Sequence, residues 1–273
     1  MNTTLINGQF ENKISVQDRG LQYGDGVFRT LVCNRGSIPH FAKHYQKLKQ
    51  DAKAIHISIP RSPEILSDIK KLCSKVDIKI IKIIITRGES TRGYDYSKIM
   101  TPNVIIQSFD YDQKRFIKNQ TGVSVETASV LLDKNSISEI KHLNRLINIL
   151  ALAGKPKSIH DRIMLDQKQN IIEGAYHCIF FKKGNKFIIP SLNQFGLQGV
   201  SRQLLIEYFE KNTVPFVAKP VSYPSLKHFD EMYLMNSVYG VSPVIKYDEF
   251  KFKINQSISQ QLNSALKFNH VKK

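Results

Sequence analysis

Segments rich in β-branched residues alternate with segments of helical spacing along both halves of this 273-residue chain. The run Ile78–Thr86 predicts a buried strand, because six of its nine residues are isoleucine and β-branched side chains pack well on a pleated surface. Residues 40–54 predict a helix, because their apolar positions recur at intervals of three and four. This alternation indicates a mixed α/β fold, and the length suffices for two domains with separate cores.

Further elements are predicted on both sides of one polar, weakly patterned segment. The predicted strands lie at residues 5–10, 27–33, 103–109, 123–132, 162–165, 171–172, 178–182, 186–189 and 232–235. The other predicted helices lie at residues 65–73, 143–150, 201–211 and 254–266. The polar segment 113–121 predicts a linker, which gives an N-terminal domain over 1–112 and a C-terminal domain over 122–273.

The chain carries a formal net charge of +17, which suits either an anionic partner or a lysine-rich composition with no single basic surface. Its lysines are scattered, and no block of five like charges occurs. A nucleic-acid-binding protein is expected to cluster its charge within a recognisable module, so we expect no nucleic-acid partner. A basic binding protein without enzymatic activity stays open as an alternative.

The cysteines at 33, 73 and 178 are few, odd in number and widely spaced. We therefore expect no disulfide framework and a reducing compartment, which makes the cytoplasm the predicted location. No apolar run reaches the length of a membrane span, so no membrane partner is expected. Histidines 40, 44 and 142 lack a third ligand at metal-binding spacing, so no metal is expected either.

Lys141 and Glu173 form a pair of residue types with a specific chemistry, thirty-two residues apart. A lysine amine can hold pyridoxal phosphate as a Schiff base, and a carboxylate against the pyridine nitrogen keeps that ring protonated and able to accept electrons. Most lysines and glutamates are solvated surface groups, so the pair needs support from other segments.

Gly199 and Ser201 precede a predicted helix, where free backbone N–H groups and the helix dipole suit a phosphate. Plain capping of the helix by Ser201 is the alternative. Asn236 and Ser237 end a predicted strand, and their amide and hydroxyl groups are further candidate phosphate donors.

Two dense segments in the N-terminal half contain paired arginines and glycines. Residues 18–30 hold three glycines before a strand, and this order does not match a dinucleotide-binding motif, in which a helix follows. Residues 87–94 follow a buried strand, and their arginines suit a substrate carboxylate. An ordinary turn and an exposed loop are the respective alternatives.

Taken in this order, these segments resemble the class IV aminotransferase family of fold type IV pyridoxal phosphate enzymes. The resemblance spans residues 5–244. The Arg-Gly-x-x-x-Arg-Gly-Tyr loop at 87–94 and the Lys-His-Leu-Asn-Arg-Leu run at 141–146 are most similar to its aminodeoxychorismate lyase branch. The resemblance implies a two-domain fold like that of D-amino-acid aminotransferase, bound pyridoxal 5'-phosphate, and a homodimer.

The same resemblance implies roles at matched positions, with Lys141 as the catalytic lysine and Glu173 as the partner of the pyridine nitrogen. The other implied cofactor-binding residues are Lys47, Leu197, Val200, Ser201, Asn236 and Ser237. The implied substrate-binding residues are Phe28, Arg29, Thr30, Arg92 and Tyr94. Lys47 stands where the family usually has an arginine, and Cys178 where it usually has an asparagine, which implies weaker cofactor retention and an altered network near the ring.

The resemblance implies a lyase that converts 4-amino-4-deoxychorismate into 4-aminobenzoate and pyruvate, a reaction of folate biosynthesis. The alternative is a class IV transaminase for D-amino or branched-chain amino acids, which uses the same lysine. Functional coupling to an aminodeoxychorismate synthase is a further expectation for the lyase.

Overall fold

The computed structural model describes residues 3–73, 75–97 and 99–270. The chain divides into two compact units, each of mixed α and β structure. The first consists of Met1–Tyr111 together with Ile140–Asn144, and the second of Asp112–Glu139 together with Arg145–Lys273. The mixed α/β prediction is confirmed.

The first unit contains one antiparallel sheet with strand order β2-β1-β5-β4-β3 and three helices in its described residues. Its elements are β1 (Thr3–Ile6), β2 (Gln9–Phe10), α1 (Arg19–Tyr23), β3 (Gly26–Asn34), α2 (Phe41–Ala54), α3 (Ser62–Leu72), β4 (Ile78–Thr86) and β5 (Asn103–Asp110). Asn7 and Gly8 both have positive φ, which is the conformation that a two-residue hairpin turn requires.

The core of the first unit lies between one face of this sheet and helices α2 and α3. Alternate apolar residues of β3 and β4, such as Leu31 and Ile83, are buried there, and Leu48 and Ile69 are the matching positions on the two helices. Apolar residues spaced by two in the strands and by three or four in the helices thus face each other and form one apolar layer.

The second unit contains a sheet of nine described strands, in the order β11-β10-β9-β12-β13-β6-β7-β8 with β14 paired to β13. Its strands are β6 (Val123–Leu132), β7 (Asp161–Asp166), β8 (Ile171–Gly174), β9 (Cys178–Lys183), β10 (Lys186–Pro190), β11 (Phe216–Lys219), β12 (Glu231–Asn236), β13 (Gly240–Tyr247) and β14 (Phe250–Lys251). Its helices are α4 (Gln113–Gln120), α5 (Leu146–Leu152), α6 (Val200–Lys211), α7 (Gln256–Ala265) and a 3-10 helix (Tyr223–His228).

This sheet is buried on both faces at its centre. Phe181 and Leu234 belong to one apolar cluster, whereas Phe180 and Tyr233 belong to another that includes residues of α6 and α7. Because successive strand residues point to opposite faces, β9 and β12 read as continuous apolar runs in the sequence.

Residues 113–121 were predicted to be a linker, and the structure instead forms a helix there that belongs to the second unit. Residues Gln113–Gln120 form helix α4, whose N-terminus is capped by the Asp112 carboxylate accepting the Arg115 N–H at 3.0 Å. Phe116 is the apolar anchor that buries one side of the helix. With eight residues, most of them polar, the helix shows too little periodicity to be recognised from the sequence.

The segment Ile140–Asn144 groups with the first unit, although it was assigned to the C-terminal domain. Helix α5 begins only at Leu146, so Leu143 is not part of it as predicted. Strand β13 was also missed, because Gly240, Ser242 and Pro243 interrupt its apolar pattern.

A disulfide joins Cys33 on β3 to Cys73 at the end of α3, with Cα atoms 6.3 Å apart. The sequence was expected to form no disulfide framework, and this single pairing was not predicted. The separation of forty positions hid the pairing, which arises because α3 packs on the face of the sheet that carries Cys33. Cysteine usage thus no longer supports a reducing compartment.

Among the described residues, no helix combines the length and the apolar character that crossing a bilayer requires.

Candidate functional site

Lys141 lies in a short segment that runs antiparallel to the start of β3. The Phe28 N–H donates to the Lys141 carbonyl at 2.9 Å, and the Leu143 N–H donates to the Gly26 carbonyl at 3.0 Å. A Cβ atom at Gly26 would lie 2.7 Å from Leu143 Cδ1 in the lysine segment and 2.4 Å from the Ile85 carbonyl oxygen of β4, so only glycine permits these close approaches. The dense glycine motif before β3 therefore makes room for the lysine segment.

The side chain of Lys141 extends over an aromatic ring. Its Nζ atom lies 4.5 Å from the centroid of Phe28, a distance at which a cation and a ring face attract each other. Two predicted site residues of the first unit are thus in direct contact.

Asp51 is a buried carboxylate that sequence reasoning missed. Its Oδ2 atom accepts the Lys141 N–H at 2.9 Å and binds the guanidinium of Arg29, while its Oδ1 atom pairs with Lys47 Nζ at 2.9 Å. The only sequence signal was an acidic residue one helical turn after Lys47 on the apolar face of α2. Asp51 thus connects three predicted site residues of the first unit.

Arg29 lies on a different face of β3 from Phe28 and Thr30, because neighbouring strand residues alternate. Its guanidinium is buried and held by Asp51. The strand therefore does not group Arg29 with the other two residues that were expected to line a substrate surface.

His44, on the same helix as Lys47 and Asp51, is 4% exposed. Its pKa is lowered to about 3, mainly by burial and also by the neighbouring charges of Arg29, His40 and Lys141. The imidazole is therefore neutral at physiological pH and adds no positive charge to this cluster.

The two dense arginine segments of the N-terminal half meet at Asp25. Arg87 donates to both oxygens of this carboxylate, from Nε at 2.7 Å and Nη2 at 3.0 Å, and Arg19 Nε donates to it at 2.9 Å. Arg19 also donates to the backbone carbonyls of Gly93 and Tyr94 at 3.1 and 2.9 Å. These arginines fix the loop instead of presenting free guanidinium groups to a ligand.

Arg92 and Tyr94 lie on the exposed side of that loop. Tyr94 is 84% exposed and its ring packs edge-on against Tyr23 at 5.5 Å. Arg92 is exposed and makes no hydrogen bond or ion pair with residues 3–73, 75–97 or 99–270. Within a single chain, the structure does not bring Arg92 to Lys141 through any such contact, and its substrate role stays a prediction.

In the second unit, the carboxylate of Glu173 on β8 is held by the backbone of Leu197, another predicted cofactor-binding residue. Its Oε2 atom accepts the Leu197 N–H at 3.0 Å. The same oxygen would lie 3.4 Å from a Cβ atom at Gly196, so the loop passes close to the carboxylate. A carboxylate with an ordered position is what a partner for the pyridine nitrogen requires.

The N-terminus of α6 has the open donors that a phosphate needs. Gly199 is its extended N-cap, and no side chain caps the helix. The N–H groups of Val200 and Ser201 thus belong to a first turn without a side-chain acceptor, and the dipole of a twelve-residue helix adds positive potential. The capping alternative for Ser201 is not what the structure shows.

Cys178 connects the α6 terminus to the end of β12. Its thiol donates to the Met235 carbonyl at 3.2 Å, and its Sγ atom lies 3.7 Å from Ser201 Oγ. Burial raises the pKa of the thiol to about 11, so it stays protonated and unreactive. It therefore acts as a weak packing contact at the position where the family usually has an asparagine.

Asn236 and Ser237 follow directly at the turn after β12. The Asn236 Oδ1 atom accepts the N–H groups of Val238 and Tyr239 at 3.0 and 2.8 Å, so it stabilises the turn. Ser237 is half-buried within that turn. The amide oxygen of Asn236 is thus engaged with the backbone, and the side-chain donors of this turn are the Asn236 NH2 group and the Ser237 hydroxyl.

The chemical groups present fit pyridoxal phosphate. The second unit offers an ordered carboxylate at Glu173, an uncapped helix terminus and the hydroxyls of Ser201 and Ser237. The first unit offers the amine of Lys141 and the cation of Lys47. An amine can react with the aldehyde of the cofactor, and a carboxylate can bind its protonated ring nitrogen. The helix terminus, the hydroxyls and the lysine cation can bind its phosphate.

Comparisons with known proteins agree with this chemistry. Aminodeoxychorismate lyase from Vibrio harveyi is 27% identical over 241 residues, which cover 88% of this chain and 89% of that protein. D-alanine aminotransferase from Bacillus licheniformis is 27% identical over 254 residues, which cover 89% of this chain and 88% of the relative. The crystal structure of 4-amino-4-deoxychorismate lyase from Pseudomonas aeruginosa matches with a TM-score of 0.87 and 27% identity, covering 97% of this chain and 98% of the other.

The family model for class IV amino-transferases matches residues 26–247, which is well over half of the chain and includes Lys141 and Glu173. The resemblance inferred from the sequence motifs is thereby confirmed, and so is the fold that it implied. The chain belongs to the class IV amino-transferase family of pyridoxal-phosphate-dependent enzymes.

Proposed function

We propose that this protein is a pyridoxal-phosphate-dependent 4-amino-4-deoxychorismate lyase that produces 4-aminobenzoate and pyruvate. The observation that favours this proposal most is the way in which the backbone of Lys141 is held in place. Its peptide group is hydrogen bonded on both sides, to the Phe28 N–H and to Asp51, while its amine extends over the Phe28 ring. A fixed backbone with a projecting amine is what a reactive lysine requires.

The cofactor would be held by the residues that its chemical groups match. Lys141 would attach it covalently, Glu173 would bind the pyridine nitrogen, and Leu197 would pack on the ring. The phosphate would accept hydrogen bonds from the N–H groups of Val200 and Ser201 and from the Ser237 hydroxyl. Lys47 would add a positive charge, and Asn236 would support the turn that carries Ser237.

Each of these residues then has a defined task. Bound pyridoxal phosphate supplies a covalent hold on the substrate amine and a sink for the electron pair released at the adjacent carbon. The Lys141 amine would remove the proton from the amine-bearing ring carbon as a general base. Glu173 would bind the protonated pyridine nitrogen of the cofactor. The neighbouring C–O bond would then break, leaving aromatic 4-aminobenzoate, and the departing enolpyruvate would take up a proton to become pyruvate.

A class IV transaminase is the second candidate, because a D-alanine aminotransferase has the same percentage identity as the lyase relative. The two activities share Lys141 and Glu173, so the site chemistry does not separate them. The loop at 87–94 and the run at 141–146 favour the lyase, since both follow the pattern of that branch. The similarity to a lyase at a TM-score of 0.87 supports the same choice.

The decisive experiment supplies the substrate enzymatically. The purified protein, loaded with pyridoxal phosphate, is mixed with chorismate, glutamine and an aminodeoxychorismate synthase, and 4-aminobenzoate is quantified. The wild-type protein should produce it, and Lys141→Ala should not. Lys49→Ala, on the exposed face of α2, is the matched control and should retain activity. If the protein transfers an amino group to a keto acid and makes no 4-aminobenzoate, the lyase proposal is wrong and the transaminase is supported.

A homodimer is part of the same proposal. The loop that contains Tyr94 exposes a second large apolar side chain, Ile99, at 93%. Exposed apolar groups of this size favour burial against another protein surface. Sedimentation equilibrium should give twice the mass of the 31.3 kDa chain, and Ile99→Asp should weaken the association. A stable monomer at micromolar concentration would argue against it.

A further inference from the structure

The sheet of the first unit carries a row of polar side chains on the face opposite helices α2 and α3. Residues paired across neighbouring strands share a face. Thr30 pairs with Lys82, and Lys82 pairs with Gln107. The rows on either side are apolar and consist of Phe28, Ile84 and Ile105, and of Val32, Ile80 and Phe109.

These three polar side chains have no hydrogen-bond or ion-pair partner among the described residues. The Thr30 hydroxyl, the Lys82 ammonium and the Gln107 amide make no side-chain hydrogen bond or ion pair with residues 3–73, 75–97 or 99–270, although all three are half-buried. Lys79, on the same strand as Lys82, instead pairs with Asp110 at 2.6 Å. None of their polar atoms is fully buried, so these groups reach solvent and are available to a ligand that supplies acceptors.

Lys82 is also close to the proposed reactive lysine. Its Nζ atom lies 5.4 Å from the centroid of Phe28, and Lys141 Nζ lies 4.5 Å from the same centroid. The two Nζ atoms therefore lie no farther apart than the sum of these two distances, which a small molecule with one ring can span. Burial lowers the pKa of Lys82.

We propose that Lys82 binds a carboxylate of the substrate, with Thr30 and Gln107 as neighbouring hydrogen-bond donors. This inference rests on the proposed function and narrows its substrate class to anions whose carboxylate is separated from the reacting amine by several bonds. A cyclohexadiene with an amine at one carbon and carboxylates beyond the ring and the ether oxygen has this form. In a simple D-amino acid the carboxylate is attached to the amine-bearing carbon, which leaves Lys82 without an acceptor.

The test measures binding without turnover. Chorismate has both carboxylates of the proposed substrate and no amine, so it can occupy the site without reacting with the cofactor. Its Kd for the pyridoxal-phosphate-loaded enzyme is measured by calorimetry for the wild type, Lys82→Met and Lys79→Met. A hydrogen-bonded ion pair of this kind predicts an increase in Kd of about 10-fold or more for Lys82→Met. Lys79→Met, which removes a lysine already paired with Asp110, should leave Kd unchanged.

Turnover adds a second readout. Lys82→Met should raise KM for aminodeoxychorismate by a similar factor and change kcat by less than about 3-fold, because the lost contact is present before and during the reaction. Lys82→Arg should recover part of the affinity, since it restores the positive charge. The visible absorption of the bound cofactor should stay unchanged in all three variants, which reports an intact cofactor site.

The outcomes separate this inference from the proposed function. If the wild type makes 4-aminobenzoate but Lys82→Met binds chorismate and turns over substrate like Lys79→Met, the role of Lys82 is refuted and the lyase stands. If the wild type makes no 4-aminobenzoate, the lyase fails. Chorismate binding that depends on Lys82 would then still support the anion site, and a wild type that does not bind chorismate would overturn both.

Discussion

The backbone N–H of Lys141 donates a hydrogen bond of 2.9 Å to Asp51, whose side chain is 2% exposed. This bond connects helix α2 to the segment that carries the proposed reactive lysine. The same carboxylate binds Arg29 and Lys47, so one negative charge compensates two cations in a buried setting. A buried ion pair of this type is strongly coupled, and removing one partner leaves the other uncompensated.

Asp51→Asn should therefore both destabilise the protein and impair Lys141. We expect a loss of about 3 kcal/mol in the free energy of unfolding, because the buried guanidinium of Arg29 loses its counter-charge. We also expect a decrease in kcat that persists at temperatures where the variant is fully folded. Urea unfolding and steady-state kinetics measure the two effects. Asp68→Asn, which breaks the more exposed pair with Lys71, is the control and should cost less than about 1 kcal/mol.

Glu173→Gln tests the proposed partner of the pyridine nitrogen with little change of shape. The amide oxygen of glutamine can still accept the Leu197 N–H, so folding should be preserved. The negative charge is lost, and we expect kcat to fall by about 100-fold or more, as for other preorganised electrostatic contacts in active sites. Glu210→Gln, on the exposed face of α6, should keep wild-type kinetics. Normal turnover by Glu173→Gln would show that Glu173 is not the partner of the pyridine nitrogen.

The sequence predicted correctly those elements whose residue pattern is complete within a short stretch of the chain. Strands β4 and β6 have the predicted bounds, because apolar, β-branched runs between breakers are hard to mistake. Lys141 and Glu173 were proposed as site residues because the motifs around them are distinctive, and their roles stay predictions. Helix α4 was missed since its single buried anchor, Phe116, gives no period.

The features that were missed depend on contacts between distant parts of the chain. Asp51 meets Lys141 across ninety residues, and Cys33 meets Cys73 across forty. An isolated aspartate on a helix is usually solvated, and nothing in its neighbourhood indicates that two cations and a backbone N–H will converge on it. Lys82 escaped notice for the same reason, because its polar row exists only once the strands are paired.

Lys47→Met should weaken retention of the cofactor. Lysine at this position offers a point charge to a phosphate, and in the structure that charge also pairs with Asp51 at 2.9 Å. Loss of a charged hydrogen bond predicts an increase of about 10-fold in the Kd for pyridoxal phosphate. Fluorescence or absorbance titration of the apo-protein measures it, with Lys49→Met as the control on the exposed side of α2. Equal affinities for the two variants would show that Lys47 does not reach the phosphate.

His44 should make the stability of the protein depend on pH in the acidic range. Its pKa is lowered to about 3 in the folded protein, mainly by burial, whereas an unfolded histidine titrates near 6.5. Between these values the unfolded chain binds more protons, so stability is complete above about pH 6.5 and decreases as the pH falls toward about 3. At about pH 4.5 this residue alone should cost roughly 2–3 kcal/mol.

His44→Asn removes this titration and should flatten the dependence of the unfolding free energy on pH between about 6.5 and 4.5. The relevant quantity is the slope, because the substitution can also change stability equally at every pH. Urea unfolding at several pH values measures it, and His228→Asn, at an exposed histidine, is the matched control that should keep the wild-type slope. An unchanged slope in His44→Asn would mean that the imidazole is solvated or charged in the folded protein. In that case the cluster around Asp51 would hold a third cation, and the charge balance inferred for the Lys141 segment would be wrong.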